Sequence, residues 1–94
     1  MKYNWNNEKN ELLKRTRYIS FEDVISYIES DFMLEEIEHP NKEKYPNQRI
    51  FLVNINNFIY EIPYIKESSN SLFLKTIIPS RKWTKQLLGG IYGK

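Results

Sequence analysis

The stretch RIFLVNINNFIYEIPYIK (residues 49–66) holds two runs of apolar and aromatic residues on either side of an asparagine pair. Because β-branched and aromatic residues are enriched in strands, each run predicts a β-strand. Asn56 and Asn57 tolerate the positive φ that a two-residue hairpin turn requires. Pro63 has no N–H to donate to a sheet ladder, which predicts a sheet edge or a bulge there. The stretch therefore predicts an antiparallel hairpin.

Further strands are predicted on both sides of this hairpin. Residues 32–38 (FMLEEIE) have the composition of a strand, and the proline- and asparagine-rich loop HPNKEKYPNQ follows them. After the hairpin, ESSNS (67–71) predicts a turn and LFLKTIIP (72–79) predicts another strand. The segment KYNWN (2–6) alternates weakly, which predicts a short strand near the N-terminus.

Three helices are predicted, and the clearest begins after Ser20. Apolar residues recur there at the i, i+3, i+4, i+7 spacing of an amphipathic helix. Ser20 and Asp23 resemble a capping box, which places the start of this helix at position 21. The predicted helices cover residues 7–17, residues 21–29, and the segment from a Ser80 cap to the glycine pair at 89–90.

This order of elements predicts the fold class. One strand, two helices, three or four antiparallel strands and a final helix are typical of an α+β domain. We expect the helices to pack on one face of a three- to four-stranded antiparallel sheet, with a helix at the C-terminus. The length is that of a single domain covering residues 1–94.

The composition excludes several classes of site. The chain has no cysteine and a single histidine, His39, so it lacks disulfides, thiolate ligands and a histidine-based metal site. No apolar run approaches the roughly 20 residues of a membrane span, and the first residues lack the apolar core of a signal peptide. We therefore expect a soluble cytoplasmic protein that uses no metal or other cofactor and has no membrane partner.

Charge is distributed unevenly along the chain. Residues 22–48 carry eight acids and two lysines, whereas residues 49–94 carry seven basic residues and two acids, Glu61 and Glu67. A basic C-terminal half favours an anionic partner, although a solvated charged face would give the same pattern. The acids Glu35, Glu36 and Glu38 have no supporting metal-ligand pattern, and a solvated acidic face is the simpler interpretation for them.

The start of the last helix carries two cations where helices favour acids. Arg81 and Lys82 follow the Ser80 cap, and their charge opposes the positive end of the helix dipole. Such a position lowers stability unless an anion binds there, and helix N-termini bind phosphate through free N–H groups. The segment from Pro79 to Lys82 is therefore predicted to be an anion site, and the RNA backbone is the ligand that we expect.

Three segments carry a resemblance to a known family. ISFEDV (19–24), NQRIFLVNI (47–55) and LKTIIPSRKWTKQLL (74–88) resemble the BrnT-like toxins of bacterial toxin–antitoxin pairs, which belong to the RelE/ParE-like group. The resemblance implies a RelE-like fold and a small endoribonuclease. It also implies a cognate antitoxin as partner, a small DNA-binding protein encoded beside the toxin that forms a hetero-oligomer with it. Where the family commonly has His-Gly, this chain has Arg17-Tyr18, so Tyr18 is expected to take a backbone conformation that suits glycine.

The resemblance and the distribution of basic residues together predict roles for individual residues. Arg81 and Arg49 fall on family arginines, and both are expected to clamp phosphate, for which the bidentate guanidinium is suited. Either Lys75 or Lys82 is expected to act as the acid for the leaving oxygen, or to add further charge. The predicted RNA-binding residues are Arg49, Lys66, Lys75, Arg81, Lys82 and Lys85.

Two further residues complete the expected site. Tyr64 falls where the family often has an aromatic residue and would stack on the substrate or hydrogen-bond to it. Glu61 lies in the middle of the basic half and is a candidate base for the 2′-OH, or a partner for a neighbouring cation. Two alternatives to the ribonuclease remain: a non-catalytic interaction or RNA-binding module, and a gyrase-directed toxin of the ParE kind.

Overall fold

The computed structural model describes residues 1–92 and shows an α+β fold built on a mixed, six-stranded sheet. The strand order is β1-β5-β4-β3-β2, and β6 pairs with β4 beyond the end of β5. The elements are β1 (Lys2–Asn4), α1 (Asn7–Arg17), α2 (Phe21–Ile28), β2 (Met33–Glu38), β3 (Gln48–Ile55), β4 (Phe58–Ser68), β5 (Ser71–Leu74), β6 (Ile78–Pro79) and α3 (Arg81–Tyr92).

The predicted hairpin is confirmed. β3 and β4 pair antiparallel in one unbroken register, which runs from Gln48 opposite Ile65 to Ile55 opposite Phe58. Asn56 and Asn57 form the turn with φ values of 55° and 66°. Both residues therefore adopt the left-handed conformation that a two-residue hairpin requires.

The sheet is mixed, so the prediction of a purely antiparallel sheet of three or four strands was wrong. β1 pairs parallel with β5, with Tyr3 opposite Leu72. Parallel neighbours need a long connection between them, and here the chain passes through both N-terminal helices and three strands before it returns. Local alternation in a three-residue strand does not encode such a distant partner.

The predicted strand over residues 72–79 is divided into β5 and β6, and the break faces Pro63. The carbonyl of Pro63 accepts the Lys75 N–H at 2.8 Å. In a strand, the N–H and C=O of one residue point to the same neighbouring strand, so the N–H that proline lacks would also have pointed towards the chain after β5. Because no donor is available there, the ladder is interrupted after Leu74 and resumes where Ile78 pairs with Glu61. The sequence prediction of an edge or bulge at Pro63 thus identified the point of irregularity.

Helices cover both faces of the sheet, whereas one face was predicted. α1 and α2 pack through Leu13, Phe21 and Val24 on a core that includes Phe51 and Val53 of β3. On the opposite face α3 places Trp83 and Leu87 against Ile50, Leu52 and Ile59. Consecutive residues of β3 are buried because each face has its own cover, which is why IFLV forms a continuous apolar run.

The helix ends follow the predicted chemistry in part. Ser20 and Asp23 form the capping box of α2, and Tyr18 ends α1 with φ 56° and ψ 36°, the left-handed conformation expected for it. α3 was predicted to stop at the glycine pair but continues to Tyr92, with a non-helical backbone at Leu88. The first helical segment therefore breaks directly before the glycine pair, close to the predicted stop, and a second helical segment follows the kink.

Candidate functional site

Three polar side chains from adjacent strands meet on the face of the sheet that α1 and α2 cover only in part. Glu36 lies in β2, Arg49 in β3 and Tyr64 in β4. Arg49 Nε donates to Glu36 Oε2 at 2.7 Å, and the Tyr64 hydroxyl donates to the same oxygen. We call these three residues the Glu36 cluster.

Strand register brings the cluster together. Arg49 is directly opposite Tyr64 in the β3–β4 pair, and Glu36 is opposite Phe51, two residues further along β3. Side chains two apart in a strand lie on the same face, so all three point to one side of the sheet. Diagonal neighbours across antiparallel strands are within reach of long side chains, which allows Arg49 to contact Glu36.

The tyrosine of the cluster is held by an aromatic contact. Its ring stacks on Phe51 with centroids 4.4 Å apart and planes 14° from parallel. Burial, together with the hydrogen bond to Glu36, raises the pKa of Tyr64 to about 12. The hydroxyl therefore keeps its proton at neutral pH and acts as a hydrogen-bond donor.

The carboxylate of the cluster stays ionised. Burial raises the pKa of Glu36, but the hydrogen bonds from Tyr64 and Arg49 and the charge of Arg49 outweigh it, so the net pKa is below its ordinary value. Both hydrogen bonds end on Oε2, and Oε1 has no partner among the residues that the structure describes. Glu36 thus offers an ionised oxygen that is free to accept a proton or a hydrogen bond.

The arginine of the cluster reaches solvent. Its side chain is 45% exposed, and its contact with Glu36 raises its pKa, so it is always charged. Beside it lies a cavity of about 220 Å³ whose walls include Glu38 and His39. Glu38 is engaged separately, with one carboxylate oxygen 2.7 Å from Lys42 Nζ. A ligand that reached Arg49 would therefore meet a fixed cation beside a free carboxylate oxygen.

One further predicted residue shares this end of the sheet. Lys66 follows Tyr64 by two positions in β4 and is exposed on the same face. The register of β3 and β4 is unbroken, so Pro63 does not change which β4 side chains point to this face. The structure thus brings together Arg49, Tyr64 and Lys66 from the predicted set.

The other predicted residues lie elsewhere. Glu61 pairs with Leu52, so it faces the side of the sheet that α3 covers, and it does not meet Arg49. Lys75 follows β5, its Nζ lies 5.7 Å from the Phe73 ring centre, and both residues line a cavity beside α1 together with Leu12 and Arg15. Neither residue can act at the Glu36 cluster from these positions.

The cations of α3 form a separate group. Arg81, Lys82 and Lys85 are exposed on the helix, and Lys82 Nζ lies 5.3 Å from the Trp83 ring centre. The Ser80 N–H donates to the Ile59 carbonyl, so the start of α3 lies beside Ile59. Ile59 is five residues from Tyr64 in β4, a distance of about 17 Å at ~3.3 Å per residue. The anion site predicted at this helix start and the Glu36 cluster are therefore two different places on opposite faces.

Glu36 is the residue that the sequence interpretation missed. The sequence predicts a solvated acidic face for Glu36 together with Glu35 and Glu38. Alternation along β2 could have separated Glu36 from Glu35. The partners of Glu36, however, depend on the β2–β3 register across a nine-residue loop, which no local pattern encodes. The acidic character of this segment therefore conceals one hydrogen-bonded carboxylate among solvated ones.

Within residues 1–92, no group of three or more His, Cys, Asp or Glu side chains is placed to hold a metal ion. The helices of this region are all too short or too polar to cross a lipid bilayer. No protein-family model, curated protein or solved structure matches the chain.

Proposed function

We propose that the chain is an endoribonuclease that cleaves RNA without a metal and uses the Glu36 cluster as its reactive centre. The observation that carries this proposal is that a partly exposed arginine and a protonated tyrosine both donate to one oxygen of an ionised carboxylate. These are the group types that attack by a 2′-hydroxyl requires: a base, a cation for the phosphate and a hydrogen-bond donor.

The first step would be proton removal by Glu36. Its Oε1 takes the proton of the 2′-OH, and O2′ attacks the adjacent phosphorus as the P–O5′ bond breaks. The products are a 2′,3′-cyclic phosphate and a 5′-hydroxyl. Because the pKa of Glu36 is held below its ordinary value, the base is ready at neutral pH but weak, so charge stabilisation has to supply much of the catalysis.

Arg49 would supply that stabilisation. Negative charge grows on the non-bridging oxygens during attack, and a fixed guanidinium beside them stabilises it without reorganisation. Tyr64 holds Glu36 in place and would donate to the substrate once the carboxylate is protonated. The leaving O5′ takes a proton from water or from Lys66, the exposed cation nearest along the strand.

The proposal extends to biological role through the sequence resemblance. A BrnT-like toxin with the RelE-like arrangement would inhibit growth in the cytoplasm when expressed alone and would be neutralised by a cognate antitoxin. What supports this is the order of the three similar segments. The α+β fold is compatible with it.

A second candidate, a non-catalytic RNA-binding module, is favoured by one observation. Arg81, Lys82 and Lys85 lie on the face of the sheet opposite the Glu36 cluster, so they could bind RNA backbone without presenting it to Glu36. In that case the hydrogen bonds of Glu36 would serve only to hold β2, β3 and β4 together.

Cleavage of a labelled oligoribonucleotide by the purified protein in excess EDTA tests the proposal. The variant Glu36→Gln keeps the size and hydrogen-bonding capacity of the side chain but removes the base, and we expect cleavage to fall by about 10²-fold or more. Glu38→Gln is the matched control, because Glu38 lies in the same strand on the same face and is paired with Lys42.

Equal loss in both variants, or no cleavage by the parent, would count against the Glu36 cluster as a reactive centre. Tight RNA binding by a parent that does not cleave would instead support the binding module. Thermal melting of each variant separates loss of chemistry from loss of the fold.

A further inference from the structure

Three tyrosines from three elements line a cavity at the hairpin end of the sheet, away from the Glu36 cluster. Tyr18 follows α1, Tyr27 lies in α2 and Tyr60 in β4, and the cavity between them has a volume of about 420 Å³. Tyr60 and Tyr64 are four residues apart in β4, which is about 13 Å at ~3.3 Å per residue. The cavity is thus a separate site on the same side of the sheet.

Tyr18 is the most unusual of the three. Its side chain is 90% exposed, so the aromatic ring gains almost no burial in the folded chain. Its backbone has φ 56° and ψ 36°, which is the left-handed conformation. Glycine adopts this conformation readily, asparagine and aspartate adopt it at some cost, and it is unfavourable for other residues. Neither packing nor backbone preference therefore explains an aromatic residue at this position.

The polar groups of the cavity are available to a ligand. Among the side chains of residues 1–89, the hydroxyls of Tyr18, Tyr27 and Tyr60 and the side-chain amide of Asn56 have no hydrogen-bond or ion-pair partner. These groups include donors and acceptors, which is what the edge of a nucleobase requires. The tyrosine rings offer the stacking surface that unpaired bases use.

Charge at the rim favours an anionic ligand over a cationic one. Arg17 lines the cavity, and its Nη1 donates to the carbonyl of Ile77, which lines a neighbouring cavity with it, at 3.2 Å. The one acid in the wall, Asp23, accepts the Ser20 N–H at 3.3 Å as part of the helix cap. An aromatic cage for an organic cation would not carry a fixed arginine at its mouth.

We infer that this cavity binds an unpaired base of RNA, with the ring stacked on tyrosine and the attached phosphate beside Arg17. The inference rests on the proposed function, because it gives the same substrate a second point of attachment. The separation from the Glu36 cluster means that only an oligonucleotide can occupy both places at once.

The test compares two substitutions at Tyr18 that keep a bulky side chain in the same strained backbone. Tyr18→Phe retains the aromatic ring and Tyr18→Leu removes it. Fluorescence anisotropy measures the Kd of a labelled 2′-O-methyl oligoribonucleotide, which lacks the nucleophile and is not cleaved. We expect Tyr18→Phe to stay within about twofold of the parent and Tyr18→Leu to raise the Kd about tenfold, as loss of one stacked base predicts.

A leucine variant that binds as tightly as the parent would overturn the inference, as would a parent that does not bind the oligomer. Adenosine monophosphate is the second probe, and an affinity equal to that of the oligomer would overturn the assignment to RNA in favour of a free nucleotide. Cleavage of unmodified RNA is scored separately, and we expect Tyr18→Leu to raise KM and leave kcat unchanged. A parent that binds the oligomer in the predicted way but cleaves no RNA would contradict only the proposed function.

Discussion

Arg49 binds Glu36, its diagonal neighbour across β2 and β3, and not Glu38, the residue directly opposite it in the sheet. Glu38 binds Lys42 in the loop instead. Two carboxylates on one face of one strand therefore have different partners. Glu36 receives both Arg49 and the Tyr64 hydroxyl, whereas Glu38 stays at the solvated edge of the sheet, and this difference makes the pair suitable for matched substitutions.

Alkaline pH should destabilise the protein through Tyr64. Its pKa is about 12 in the folded state and has the ordinary value of 10.0 in the unfolded state. Between pH 10 and pH 12, therefore, the folded chain keeps the hydroxyl proton and the unfolded chain has lost it. The stabilisation is complete below pH 10 and is lost as the pH rises from 10 to 12. We expect Tyr64→Phe to reduce the fall in the free energy of unfolding over this interval.

The slope against pH is the quantity to measure, because Tyr64→Phe also removes a hydrogen bond at every pH. Tyr3, whose pKa burial and Glu29 raise to about 12, should contribute a second part of the same fall. Denaturant unfolding at pH 8, 10 and 11.5 gives the slopes. A slope unchanged by Tyr64→Phe would show that this hydroxyl is not held as the structure describes.

Thr84 should matter for stability through one buried hydroxyl. Its Oγ1 accepts the Ile59 N–H at 2.9 Å and donates to the Ser80 carbonyl at 2.6 Å, so it joins α3 to β4. Thr84→Val leaves that buried N–H without an acceptor, and we expect a loss of about 1–3 kcal/mol in the free energy of unfolding. Thr16→Val is the control, because its hydroxyl donates to the Leu12 carbonyl on an exposed helix. A similar loss in both variants would contradict the assigned role.

Arg81 and Lys82 test the anion site predicted at the start of α3. Acids complement the helix dipole there, so Arg81→Glu/Lys82→Glu should keep the fold as stable as the parent, or more stable by about 0.3–1 kcal/mol per residue. If these cations hold RNA phosphate, the same variant should bind RNA more weakly and cleave it more slowly. Thermal melting and RNA cleavage are measured together. A stable variant that cleaves at the parent rate would remove these residues from the RNA-binding surface.

Tyr18→Gly should stabilise the protein by up to about 1 kcal/mol. Glycine adopts the left-handed conformation of this position without steric cost, although part of the gain is offset by the greater freedom of glycine in the unfolded chain. Almost no buried area is lost, since the side chain is 90% exposed. Chemical denaturation gives the difference. A marked loss of stability would mean that the Tyr18 ring has a packing role that its exposure does not show.

Local chemistry was enough to predict most elements but not their arrangement. The asparagine turn, the capping box at Ser20 and the irregularity opposite Pro63 all depend on residues close in sequence. The parallel pairing of β1 with β5 joins residues about 70 positions apart, and the placement of α3 on the second face depends on tertiary packing. The continuous apolar run of β3 was the one local indication that both faces are covered.

The residues of the Glu36 cluster were likewise predictable only in part. Arg49 and Tyr64 were expected from the sequence, and the β3–β4 register places them directly opposite each other. Glu36 was missed because its contacts depend on the pairing of β2 across a long loop, and Glu61 was considered in its place because it lies near the cations in sequence. Strand parity puts Glu61 on the other face of the sheet, a consequence that a count of charges along the chain does not reveal.

The measurement that tests the central claim most directly is the chemistry of the cut ends. Two oligonucleotides are incubated with the parent protein in excess EDTA, one all-ribose and one with a single 2′-deoxynucleotide on the 5′ side of the cleaved bond. Attack by the 2′-hydroxyl predicts a 2′,3′-cyclic phosphate and a 5′-hydroxyl from the first, no cut at the modified position of the second, and loss of both products in Glu36→Gln. Cleavage at the deoxynucleotide would contradict the account, and so would a 3′-hydroxyl at the cut end of either substrate.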